Sequence, residues 1–174
     1  LQVWKRHPDI VSGLILEGAS PGIPTCEERK LRRQSDESLA QLIIEDGIEA
    51  FVGYWESMSL WKSQEINLSE SSQTALRAQR MAQREIGLAN SLRGMGTGAQ
   101  SWLGEDLKSI EVPVLLIAGS LDDKYSRIAR EMSEQISGSQ IELIADAGHA
   151  AHIEKPEQVH KIIKDFLLQH RGDL

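Results

Sequence analysis

The chain has 174 residues, 40% of them apolar, with 19 basic and 26 acidic side chains for a formal net charge of −7. This suits one folded domain with a real core and excludes a disordered chain. The acidic balance argues against nucleic-acid binding, no apolar run reaches the ~20 residues of a membrane span, and the single cysteine, Cys26, cannot form an internal disulfide.

Residues Leu1 to Arg6 (LQVWKR) read as the end of a helix, with cations where the helix dipole favours them and Pro8 blocking continuation. A chain opening inside a helix leads to the expectation that polypeptide precedes Leu1. The run Gly13 to Glu17 has no polar alternation and predicts a strand buried on both faces. The expected organisation is a core helix end and strand over 1–20, a helical lid over 21–108, and further core over 109–174. The middle zone has no convincing strand. Helical pieces are expected at Glu27–Gln34, Glu37–Glu45, Ile48–Trp55, Ser72–Arg80 and Gly87–Arg93. Such a lid would close a pocket and exclude water.

In the third zone Val112 to Ala118 (VPVLLIA) predicts a second buried strand and Gln140 to Ile144 (QIELI) a third. Between them Lys124 to Ile136 reads as a helix, with Ile128, Met132 and Ile136 in line. Pro156 opens a last helix, whose apolar stripe is Val159, Ile162, Ile163, Phe166 and Leu167. Strands alternating with helices predict a parallel sheet covered on both faces, an α/β fold.

The chemistry sits just past two strand ends. VPVLLIA leads into Gly119-Ser120-Leu121-Asp122-Asp123, and QIELI into Asp146-Ala147-Gly148-His149. In open α/β sheets ligands bind at this edge. A carboxylate there can hold an imidazole in one tautomer and stabilise the imidazolium. The chain order, acid and then histidine near the C-terminus, is that of α/β-hydrolases. Asp122 also suits a helix N-cap, Asp123 rivals it in either role, and His149 can be read as an ordinary loop histidine. His152 forms H-x-x-H with His149, but no third ligand has sensible spacing, so no metal is expected and His152 reads as a packed side chain. Cys26, in the presumed lid without a paired histidine, reads as passive.

Gly18-Ala19-Ser20-Pro21-Gly22 matches the nucleophile-elbow pattern G-x-S-x-G. Chemistry rejects it. The residue after the serine must donate its backbone N–H to the oxyanion hole, and Pro21 has none. Pro-Gly also reads as a turn and not as a helix start. No other serine has a strand–turn–helix context.

These residues carry a resemblance to a family. LILEGASPG (Leu14–Gly22), Glu28–Arg32, DGIEAFVGYWESMSLW (Asp46–Trp61), Ala78–Arg80, GLANSLRGMGTGAQ (Gly87–Gln100), Gly119–Tyr125 and AGHAAHIEKP (Ala147–Pro156) together resemble the C-terminal portion of the 2-succinyl-6-hydroxy-2,4-cyclohexadiene-1-carboxylate synthases. These are α/β-hydrolase-fold enzymes of menaquinone biosynthesis. The resemblance implies a carbon–oxygen lyase that removes a proton alpha to a carbonyl and expels pyruvate from a cyclohexene dicarboxylate. It implies a triad in which Asp122 and His149 activate a serine that lies outside this sequence. It also implies that Arg32 and Arg80 bind the substrate's carboxylates and that Trp55 lines the pocket. An arginine fork suits carboxylates better than lysine does. No cofactor and no metal are implied, the expected partner is a small anionic substrate, and nothing signals an oligomeric state. The family, the lone cysteine and the lack of a targeting pattern make a cytoplasmic location the expectation. The alternatives are another α/β-hydrolase, such as an esterase or C–C hydrolase, or a non-catalytic remnant.

Overall fold

In the computed structural model, residues 1–172 are described. The chain forms two compact units, one of Leu1–Pro21 with the residues from Leu103 onward, the other of Gly22–Trp102. The expected boundary at 108 moves to the Trp102–Leu103 junction. Its cause is packing, because Leu107 and Ile110 are buried in the same cluster as Trp4, Val114 and Leu116.

The first unit contains helix α1 (Gln2–Arg6), strand β1 (Leu14–Glu17), strand β2 (Val114–Gly119), helix α6 (Asp123–Gln135), strand β3 (Gln140–Ile144) and helices α7 (Ala151–Glu154) and α8 (Pro156–Gln169). The three strands are parallel in the order β1-β2-β3. β2 is buried throughout, and its alternation feeds two cores. Val114, Leu116 and Ala118 pack with Ala129 and Met132 of α6, while Leu115 and Ile117 pack with Val159 and Phe166 of α8. β1 departs from the expectation of burial on both faces, since Ile15 is 39% exposed. Among the described residues β1 pairs with β2 alone, and Ile15 belongs to neither of the two clusters that bury the faces of β2. Leu167, expected in the stripe of α8, also stays partly exposed.

The second unit is helical: α2 (Cys26–Glu56), α3 (Lys62–Asn67), α4 (Glu70–Met81) and α5 (Glu85–Met95). No strand occurs among its described residues. Thr25 caps α2 by accepting from the Glu28 N–H at 3.2 Å. The first two expected helical pieces run together, because Asp36 is buried within α2 and takes an i,i+4 ion pair from Arg32. The second break is real and sits at Gly47, whose φ of 84° and ψ of 175° only glycine adopts readily. Ile43, Phe51 and Val52 form the core of this unit, with Met81, Leu88 and Leu92 packed against them. No described helix is long and apolar enough to cross a membrane.

Candidate active site

The loops after β2 and β3 are joined to each other before any side chain is considered. Ser120 N–H donates to the Ile144 carbonyl at 2.8 Å, and Leu121 N–H to the Ala147 carbonyl at 2.9 Å. The Ser120 hydroxyl accepts the Asp146 N–H at 2.9 Å. Asp146 takes φ 56°, a left-handed turn that Asp tolerates better than most residues, and this turns the chain toward Gly148 and His149. Gly119 lies where the loops meet. A Cβ there would fall 2.1 Å from the Gly148 carbonyl oxygen and 2.2 Å from that of Ala147.

This frame brings Asp122 and His149 together across 27 residues of chain. His149 Nδ1 lies 2.7 Å from Asp122 Oδ2. The Asp122 side chain is 5% exposed and that of His149 21%. An ionised carboxylate only accepts, so Nδ1 carries the proton and donates it. The other oxygen, Oδ1, accepts the Tyr125 N–H at 3.1 Å and caps α6. The two readings of Asp122 are therefore not rivals, because each oxygen serves one of them. Asp123 begins α6 in an exposed position.

Further residues hold the imidazole. The Tyr125 ring sits 4.6 Å from it, centroid to centroid. Gly18, at φ 51° just after β1, comes so close that a Cβ there would lie 2.9 Å from His149 Cε1. The buried Glu154 carboxylate accepts the Gly148 N–H at 3.0 Å. Glu17, at the end of β1, accepts the His152 N–H at 3.0 Å and lies 2.9 Å from its Nδ1. His152 is thus an exposed side chain held against Glu17 and not a packed one. Sequence reasoning missed Glu17, Gly18 and Glu154. The available signal was a lone acid closing an apolar strand beside a glycine.

The helical unit carries the other expected residues. Arg32 donates from Nε to Asp36 Oδ1 at 2.8 Å and is 43% exposed. Arg80 is 19% exposed. It donates to Glu56 Oε1 at 3.0 Å and Gln64 Oε1 at 3.1 Å, over the face of Trp61. Trp55 stacks on Phe51 at 5.6 Å and lies tilted against Trp61 at 5.5 Å. Arg80 lines a cavity that Arg32 does not. No group of three or more potential metal ligands occurs among the described residues.

No protein-family model matches the chain. It is 44% identical over 161 residues to a putative 2-succinyl-6-hydroxy-2,4-cyclohexadiene-1-carboxylate synthase of Bacillus subtilis (strain 168), covering 92% of this chain and 58% of that protein. It is 24% identical to the synthase of Serratia proteamaculans, over 93% of this chain and 60% of the relative. Among solved structures, MenH from S. aureus superposes with a TM-score of 0.89 at 37% identity, over 92% of this chain and 60% of that one. A thermophilic esterase from Thermogutta terrifontis shares the fold, with a TM-score of 0.79 at 21% identity. The chain spans about three fifths of the length of these proteins, and its fold is that of the α/β-hydrolases.

Proposed function

From a chain that belongs to the 2-succinyl-6-hydroxy-2,4-cyclohexadiene-1-carboxylate synthase family, we propose that it supplies the acid–histidine pair and the carboxylate-binding arginines of a carbon–oxygen lyase of menaquinone biosynthesis. The observation that carries this reading is the 2.7 Å contact between His149 Nδ1 and the buried Asp122 carboxylate at the C-terminal edge of adjacent parallel strands. With Nδ1 committed to Asp122, Nε2 is the ring nitrogen that exchanges a proton. It takes the proton of a serine hydroxyl, and the serine oxygen takes the proton alpha to the substrate carbonyl. The electron pair left on carbon forms new carbon–carbon double-bonding as the C–O bond breaks; the departing oxygen leaves with the bond pair, takes the imidazolium's proton and gives the enol of pyruvate, which tautomerises to pyruvate. Asp122 stabilises the imidazolium in between. This reading takes the serine from the part of such an enzyme that the chain does not match; the chain covers 58% of the Bacillus subtilis relative.

Arg32 supports the anionic substrate class, because Asp36 fixes its Nε side and leaves a two-nitrogen fork for a carboxylate. An esterase for neutral substrates has no use for that fork. The test joins the unmatched part of the Bacillus subtilis relative in frame before Leu1 and follows pyruvate release from the succinyl-cyclohexene dicarboxylate. The hybrid is expected to turn over, and the chain alone is not. Replacing Arg32 and Arg80 together by Ala should raise KM by about 100-fold, since a charged hydrogen bond contributes about 1.5–3 kcal/mol. A folded hybrid whose KM is unmoved by both substitutions contradicts the anionic-substrate reading.

A further inference from the structure

The turn that carries His149 is tied down on both sides of the histidine. Before it, Gly148 N–H donates to the buried Glu154 carboxylate, which closes residues 148–154 into an arc through α7. After it, α7 begins without a local cap, because its N-cap residue is Ala150, whose side chain has no acceptor. Glu17 supplies the acceptor from the end of β1, 135 residues away. Its Oε1 accepts the His152 N–H at 3.0 Å, the second N–H of the helix and one that a capping side chain ordinarily meets. The same oxygen lies 2.9 Å from His152 Nδ1, and since a carboxylate oxygen only accepts, that nitrogen carries its proton. Directly after Glu17 comes Gly18, whose N–H donates to the Ile117 carbonyl at 3.0 Å and fixes the backbone there to β2. A Cβ on Gly18 would lie 2.9 Å from His149 Cε1 and 3.2 Å from its Nδ1. One dipeptide thus meets the arc twice, at the imidazole and at the start of α7.

We propose that Glu17 is a positioning residue for His149: by capping α7 from the end of β1 it keeps the imidazole seated against Gly18 and Asp122, acting through the arc and not on the substrate. A helix of four residues is too short to hold itself by its own hydrogen bonds. Ala151 packs with Ile144 and Ala147 in the sheet unit's core, but a methyl group sets no direction for the residues leading back to His149. The hydrogen bonds to Glu17 are directional and do set one. Without them the first turn of α7 frays, and His149, three residues before His152, is free to turn off Gly18 and to lengthen its bond to Asp122. A catalytic group misplaced by ~1 Å loses up to about 10²-fold in rate. The proposal rests on the reading of His149 as the group that moves the proton, and adds Glu17 to it.

The test uses the hybrid enzyme and two substitutions that separate reach from charge, each shown to be folded by its melting temperature. Glu17→Gln keeps the reach and an acceptor oxygen, while Glu17→Asp keeps the charge and shortens the reach by one methylene. Glu17→Asp is expected to lower kcat by about 10–100-fold with little change in KM, and Glu17→Gln to restore most of the loss. The ¹⁵N–H signal of His149 Nδ1, identified by its loss in His149→Gln, should exchange with water about tenfold faster in Glu17→Asp than in Glu17→Gln. A kcat in Glu17→Asp close to that of the unsubstituted hybrid overturns the proposal. A fall that Glu17→Gln shares also overturns it, because the acceptor is still within reach there. A rise in KM at constant kcat would put Glu17 on the substrate and overturn it as well. If the unsubstituted hybrid releases no pyruvate, the lyase reading fails and the exchange rates alone decide: faster exchange in Glu17→Asp upholds the role of Glu17, and equal rates overturn it.

Discussion

Gly119→Ala should lower the stability of the sheet unit by about 3 kcal/mol or more, a large effect for one methyl group. The methyl would fall 2.1 and 2.2 Å from two backbone carbonyl oxygens, those of Gly148 and Ala147. Neither can swing aside as a side chain would. Ala147 O accepts the Leu121 N–H, and Gly148 N–H is bound by the buried Glu154. Relief therefore requires the loop after β3 to move away from β2. That movement pulls at the Ser120 and Leu121 hydrogen bonds and separates His149 from Asp122. A loss of this size corresponds to a fall in melting temperature of about 6–12 °C. Thermal and urea unfolding of the variant check it, and a melting temperature within a degree or two of the unsubstituted chain would show that the loops give more easily than their contacts imply.

The second large effect is chemical and barely touches stability. Asp122 has two functions on two oxygens, and two substitutions separate them. Asp122→Asn keeps an oxygen to accept the Tyr125 N–H, so α6 stays capped and stability should change by less than about 1 kcal/mol. Its amide nitrogen, however, presents a donor to His149 Nδ1, which then accepts and shifts its proton to Nε2. The imidazole can no longer take a proton from the serine at that nitrogen, and turnover in the hybrid should fall by on the order of 10³–10⁴. Asp122→Ala loses the cap as well and should cost about 1 kcal/mol more in stability. Nitrogen-15 spectra of the imidazole distinguish the tautomers directly, with the proton on Nδ1 in the unsubstituted chain and on Nε2 in Asp122→Asn. A stability loss in Asp122→Ala alone, with unchanged tautomer and turnover in Asp122→Asn, would make Asp122 a helix cap and nothing more.

The parts legible in the sequence are those with local causes. The third strand falls at Gln140–Ile144 as expected, since QIELI is bounded by turn residues, and VPVLLIA yields β2 with both faces buried. Asp122 and His149 stood out because strand ends at one sheet edge are neighbours in any parallel arrangement. The failures have non-local causes. Ile15 looks as apolar as Leu116, yet Leu116 packs in the cluster with Met132 while Ile15 joins neither cluster of the sheet unit. The continuity of α2 through Ser35 depends on the burial of Asp36 and its pairing with Arg32. Glu17 meets His152 across 135 residues, and no pattern along the chain predicts that link. Arg80 shows the limit most clearly. Its residue type suggested carboxylate binding, yet Glu56 and Gln64 already occupy part of its donor set. What remains open to a ligand follows from geometry alone.

Whether His149 moves the proton that starts an elimination is decided by one comparison. Pyruvate release by the hybrid protein is measured with His149 and with His149→Ala, each shown to be folded. A fall in kcat of on the order of 10³ or more is expected, because members of such a triad act as a unit. Turnover within a few-fold of the unsubstituted hybrid would place the base elsewhere and contradict it.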